Sequence, residues 1–210
     1  MIRIGLIDGP LPKDFPDLAG QARFCPEDGS PHARHHAMAM AETIRSHRDR
    51  IAFINAAVFP GQLSTSLQAV CDALDWLASS PPDIVLCSIG IARPSTELFV
   101  KINAFLQAGS LVVASAPARG NKVYPAAIDG VISVQGDARC GPKDLSRLDL
   151  PNAAFGACPV AAGHPDIRGA SPAAAHMAGH LAQNWQGSAA ETLEALGPAI
   201  RYRGRERRTA

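Results

Sequence analysis

The chain has 210 residues, of which 47% are hydrophobic and 19% charged, with 18 Gly and 17 Pro. That balance excludes a disordered chain, a collagen-like repeat and a coiled coil, and it suits one large domain. The formal net charge of +1 hides an asymmetry, because residues 201–210 hold five Arg and one Glu, giving a tail of +4 and leaving −3 on residues 1–200. A nucleic-acid-binding body would spread basic charge over a folded face, so that class has no support here. The expected organisation is one compact domain over 1–200 followed by an Arg-rich C-terminal tail over 201–210, either a solvated end or a dock for an acidic partner.

The opening Met-Ile-Arg-Ile-Gly-Leu-Ile-Asp lacks a signal-peptide cleavage pattern, and no apolar run approaches the roughly 18 residues that cross a bilayer. The expectation is a cytoplasmic protein without membrane insertion. Five Cys, at 25, 71, 87, 140 and 158, form no CxxC pair. Reduced, mostly buried thiols are therefore expected in place of a disulfide framework or a zinc ribbon.

In chain order, Ile2 to Ile7 reads as a buried strand and Ala37 to Ile44 as the start of a helix. Ile51 to Phe59 is the next strand. From Ser64 a helix is expected, with Leu67, Val70, Cys71, Leu74 and Leu77 on one face and Pro81-Pro82 closing it. Ile84 to Ile89 is a third strand, followed by a helix over Glu97 to Gln107 that Gly109 ends. Leu111 to Ser115 and Val131 to Val134 continue the strands, and helices are expected at Ser171 to Gln183 and Ala189 to Leu196. Apolar strands alternating with amphipathic helices imply an α/β fold, a mainly parallel sheet covered on both faces. In such sheets chemistry gathers at the carboxyl ends of the strands. That rule points to Asp8, to Phe59-Pro60-Gly61-Gln62, to Ser88-Ile89-Gly90 and to Ala116 through Asn121.

Taken singly these residues are ambiguous. Asp8 could be a turn former. His32, His35 and His36 could bind a metal, although no Glu occupies the HExxH position and no Cys is near. Ser171, in Gly-Ala-Ser-Pro, could be a helix cap or a nucleophile at a helix N-terminus. A doubly wound nucleotide-binding domain needs a glycine-rich loop after the first strand, and Asp8-Gly-Pro-Leu-Pro is not one.

Together they stand in the chain order Asp, His, Ser. Ile4-Gly-Leu-Ile-Asp8, the His32-Ala-Arg-His35-His36-Ala37 box and Gly169-Ala-Ser-Pro-Ala-Ala-Ala-His-Met-Ala-Gly179 resemble the three boxes of the subtilisin-like serine proteases. The histidine box resembles His-Gly-Thr-His-Val-Ala, whose first histidine is catalytic. The resemblance thus implies a three-layer subtilisin-like fold and a triad of Asp8, His32 and Ser171, with no cofactor and no metal. His35 is then expected to hydrogen-bond within the helix start and His36 to pack. Gly61, Gln62 and Leu63, with Ser88, Ile89, Gly90 and Ile91, resemble the segments that grip an extended substrate. The family's oxyanion-binding Asn falls on Ala118 in strict register, or on Asn121 after a three-residue insertion, beside the backbone amide of Ser171. Ile91 replaces a glycine of the family's first specificity pocket, which implies a preference for Gly or Ala before the scissile bond.

Val113-Ala-Ser-Ala-Pro-Ala-Arg-Gly120, Tyr124-Pro-Ala-Ala, Gly136-Asp-Ala-Arg-Cys140 and Phe155-Gly-Ala-Cys158 are similar to the compact bacterial leader-peptide protease family of quinohemoprotein amine dehydrogenase biogenesis. That resemblance implies a serine endopeptidase lacking a prodomain, which removes the leader peptide from a small, internally crosslinked partner subunit during its maturation. The alternative is a catalytically weak subtilisin-like fold that acts as a peptide-binding or chaperone module. Cys140 and Cys158 are expected to be structural.

Overall fold

The computed structural model describes residues 1–26 and 31–205. Its centre is a nine-stranded sheet built from β1 (Ile2–Asp8), β2 (Leu18–Arg23), β3 (Ile51–Ala57), β4 (Ile84–Cys87), β5 (Leu111–Ser115), β6 (Ile132–Gly136), β7 (Leu145–Arg147), β8 (Phe155–Ala157) and β11 (Ile200–Arg203), in the order β11-β7-β8-β6-β5-β4-β1-β3-β2. Every neighbouring pair is parallel except β7 with β8. A separate hairpin pairs β9 (Val160–Ala161) with β10 (His164–Arg168). Five helices complete the described fold: α1 (His32–Arg45), α2 (Leu67–Ala78), α3 (Thr96–Gln107), α4 (Ala170–Gln183) and α5 (Ala189–Glu194).

The central strands are apolar at nearly every position because both faces of the sheet are covered. Ile4 and Leu6 of β1, Ile84 and Leu86 of β4 and Val113 of β5 pack in one cluster with Ala37, Met40 and Ile44 of α1 and the alanines of α4. The alternate residues Ile7, Val85, Cys87, Val112 and Ala114 pack on the other face with Val70, Leu74 and Leu77 of α2 and Leu98, Ile102 and Phe105 of α3. The result is a three-layer α/β sandwich, as the sequence pattern implies.

Helix α2 starts at Leu67 and not at Ser64, because Ser66 is the residue whose side chain accepts from the Ala69 amide and so caps the first turn. Ser95 caps α3 in the same way through the Leu98 amide. Helix α4 is buried from Pro172 through Ala182. Its run of alanines lets it lie against both the sheet and α1. Gly179 is required there: a Cβ on it would fall 2.5 Å from the His47 ring.

Residues 201–203, expected in a detached tail, instead form β11 with Ile200, a strand parallel to β7. Arg139 and Arg201 lie over the ring of Tyr202, at 5.1 and 5.7 Å from its centroid, and Arg139 donates to the Gly204 carbonyl. The basic residues are thus partly used to seat an edge strand. Residues 206–210 lie outside the described residues. All five cysteines are free thiols, with Cys71, Cys87, Cys140 and Cys158 buried and Cys25 half-buried. Burial pushes the thiols of Cys87 and Cys140 up to about 12, which keeps them protonated and unreactive at neutral pH. No described helix is long and apolar enough to cross a membrane.

Candidate active site

Asp8 is the last residue of β1 and is fully buried. The chain leaves β1 through a tightly held loop. The Asp8 carbonyl accepts from the amides of Val58 and Phe59, and buried Asn55 of β3 donates to the Gly9 carbonyl at 3.1 Å. Gln21 of β2 exchanges two bonds with the main chain of Leu11. Gly9 has no room for a side chain, since a Cβ there would lie 2.1 Å from the Ala33 carbonyl oxygen. That close approach, with the Ala33 amide donating to the Gly61 carbonyl, seats the first turn of α1 directly on the end of β1.

This seating determines which histidine meets the carboxylate. Asp8 Oδ1 accepts from the Gly9 amide at 2.7 Å and from Nδ1 of His36 at 2.8 Å. His36 takes the position expected of His32. The helix begins at His32, so that residue lies exposed on the open first turn, whereas His36 lies one turn further in, buried between Asp8 and the edge of the Phe59 ring. His35, expected to bond within the helix start, instead reaches outward to Asp166 on β10 at 3.3 Å.

Burial disfavours a charged His36, but the adjacent Asp8 carboxylate and its hydrogen bond outweigh that effect, and the net shift of the His36 pKa is upward. Because the carboxylate only accepts, Nδ1 carries the proton in the neutral ring and Nε2 carries the lone pair. Asp8 Oδ2 is buried with no partner among the described residues.

His36 and Ser171 line one open cavity of about 510 Å³. Ser171 is half-buried in the first turn of α4. It does not cap the helix, because the N-cap is Gly169, which supplies no side chain and takes φ 128°, a conformation open to glycine. Among the described residues no hydrogen bond joins Ser171 to His36. The hydroxyl thus sits at a helix N-terminus, where the dipole and unpaired amides favour developing negative charge.

The other expected residues divide. Leu63, Ser88, Ile89, Gly90 and Ile91 line the same cavity; Gly61 and Gln62 do not, Gly61 being buried as the anchor of the Ala33 amide. The β4 ladder stops at Cys87, so Ser88-Ile89-Gly90 runs along the cavity with no strand partner among the described residues until Ile91 exchanges two main-chain bonds with Tyr124. Ile91 lies half-buried against that bridge, closing the wall where a glycine would leave space. Neither candidate side-chain position for the oxyanion donor lines the cavity. Ala118 lines a second cavity of about 480 Å³ with Arg119, Gln135 and Asp137, and Asn121 is exposed beyond Gly120.

Ser64, Thr65 and Leu67 also line the main cavity, where the resemblance puts Ser64 and the helix after it in a substrate-gripping segment without naming Thr65 or Leu67. The hydroxyls of Ser88 and Thr65 are buried in its wall without partners among the described residues. The polar run Ser64-Thr65-Ser66 after a strand is a further sequence signal for this wall.

No family model and no curated protein matches the sequence. Among solved structures, the chain is similar to the prenylagaramide maturation protease PagA, with a TM-score of 0.63 at 16% identity over 87% of this chain and 74% of that one. At that identity the likeness is one of fold.

Proposed function

We propose that this chain is a subtilisin-like serine endopeptidase in which Asp8, His36 and Ser171 form the triad. The observation that carries the reading is the buried Asp8–His36 pair opening onto the same cavity as a serine at a helix N-terminus. Ser171 Oγ would attack the scissile carbonyl, His36 Nε2 would take its proton and later give it to the leaving amine, and Asp8 would hold the ring and stabilise the imidazolium. The amides of the first turn of α4, Ser171's own included, would bind the oxyanion.

The unpaired edge Ser88-Ile89-Gly90 would take the substrate as an added strand, with Leu63 and Thr65 on the facing wall. Ile91 would leave space only for Gly or Ala before the cut bond. A partner peptide or protein is the substrate this chemistry requires. The leader of a small, crosslinked subunit, which the sequence resemblance implies, fits a narrow site. The fold likeness to a maturation protease supports the same class of reaction.

A second reading, a peptide-binding module with weak catalysis, is favoured by the absence of Ala118 and Asn121 from the cavity lining, since a missing oxyanion donor costs about 10²–10³ in turnover. A fluorophosphonate probe separates the two. The peptidase reading expects one label per chain, on Ser171, lost in Ser171→Ala and retained in Ser88→Ala. No label on folded wild-type protein would favour the binding module.

A further inference from the structure

We propose that His35, His164 and Asp166 bind a divalent transition-metal ion of the zinc class, with Glu42 orienting one of the two imidazoles. One ligand atom from each of the three lies within 4.8 Å of the others. His35 Nε2 and Asp166 Oδ2 are 3.3 Å apart. Zinc bonds of about 2.0–2.2 Å in a tetrahedron space their ligand atoms by about 3.4 Å, so this pair already has ligand spacing. The His35 and His164 rings meet edge to face with centroids 5.0 Å apart. The Asp166 side chain is 68% exposed and that of His35 45%, so both can turn to close the remaining distance.

Contacts within the protein position these groups. His35 and Glu42 lie two turns apart along one face of α1, and His164 and Asp166 both belong to β10, whose register against β9 shifts between His164 and Arg168. The turn between β9 and β10 is pinned to the helix by the Ala162 amide, which donates to Thr43 Oγ1 at 2.9 Å. His164 Nε2 lies 2.6 Å from Glu42 Oε2. A carboxylate holding one imidazole nitrogen in this way fixes the ring and leaves the other nitrogen for a metal, the arrangement that commonly supports metal-ligating histidines. Two imidazoles and one carboxylate select borderline-soft ions over calcium or magnesium.

None of these residues lines the main cavity, so the proposal stands whether or not the chain is a peptidase. An ion here would join the hairpin that leads into Ser171 to the helix that carries His36.

The test is calorimetric titration of EDTA-treated, dialysed protein with ZnCl₂, with CaCl₂ as a control and CoCl₂ followed by visible absorption. The expected result is one zinc per chain, no calcium heat, and the ligand-field bands of four-coordinate cobalt. His164→Ala and Asp166→Asn should each weaken zinc at least about tenfold, and Glu42→Gln by about 10–100-fold. His35→Ala, at an exposed position, provides the same test should the His164 variant be destabilised. Absence of zinc heat at large excess, or binding unchanged by His35→Ala and Asp166→Asn, would overturn the proposal; the latter would place zinc at other histidines or the thiols.

Discussion

Replacing His36 by Gln is expected to lower leader cleavage by about 10⁴-fold or more, whereas His32→Ala should leave it within about threefold of wild type. The asymmetry follows from geometry. Among the described histidines, His36 bonds to Asp8 and lines the cavity that holds Ser171, while His32 is exposed on the first turn of α1. Gln is the useful substitution because its amide can still donate to Asp8 Oδ1, so the buried carboxylate keeps a partner and the protein stays folded. Thermal unfolding of the same variants checks this. Activity retained in His36→Gln and lost in His32→Ala would move the base to the helix start and overturn the triad as assigned.

Acid is expected to destabilise the protein well before its carboxylates titrate. His47 Nε2 meets His176 Nδ1 at 2.9 Å, and the His47 and His180 rings lie 4.4 Å apart. His176 and His180 face the carbonyls of Val160 and Pro142, and the carboxylate of Asp144 acts on His180 too weakly to offset its burial. Burial first, then mutual repulsion, lowers His47 to about 3; burial is also the main cause that lowers His180 to about 4 and moves His176 in the same direction. The sign is clear. The unfolded chain takes up protons near pH 6.5 that the folded chain refuses, so stability rises with pH and is lost as pH falls from 6.5.

Between about pH 6.5 and 4.5 holding His47 and His180 neutral costs about 2 kcal/mol each, or roughly 4–8 °C each in Tm for a domain of this size, and His176 acts in the same direction. His36, whose pKa is raised, works in the opposite sense, its stabilisation being lost as pH rises above its folded value. Comparing wild type with His47→Gln cancels that contribution. The variant should flatten the Tm-against-pH curve over this window. A wild-type Tm that is constant across the window, or a slope unaltered by His47→Gln, would contradict the buried-neutral assignment.

The central strands and the positions of all five α-helices were legible because their apolar residues recur with the period their burial demands; α3 departs by one residue from its expected start, whereas α1 begins at His32, five residues before the expected Ala37. The strands outside the central ones were not. Strand β2, Leu-Ala-Gly-Gln-Ala-Arg, alternates half-buried with exposed residues and carries Gly and Gln, so it has no continuous apolar signature. β8, Phe-Gly-Ala, is three residues long, and β11 lies within a run of arginines. These are held by register with neighbours distant in sequence, which a local pattern does not encode.

The segments of the proposed site stand out in the sequence, but the structure brings His36, not His32, to Asp8. The box His-Gly-Thr-His-Val-Ala fits His32 through Ala37 on its two histidines three apart. Shifted by four, it also fits His36 through Ala41, with Ala37 and Ala41 small and the second histidine replaced by Ala39. The repeated small residues carried the stronger signal, because α1 must lie close to β1 and α4, where Ala37, Ala39 and Ala41 are fully buried. The register that brings His36 to Asp8 follows the close approach of Gly9 to Ala33, between segments that the sequence alone does not bring together.

The most direct measurement is mass spectrometry of a leader-bearing precursor subunit, carrying its crosslinks, after incubation with wild-type protein and with Ser171→Ala. The expected result is a single cut after Gly or Ala by the wild type and an intact precursor with the variant. An intact precursor in both, or the same cut from Ser171→Ala, would contradict the assignment of Ser171 as nucleophile.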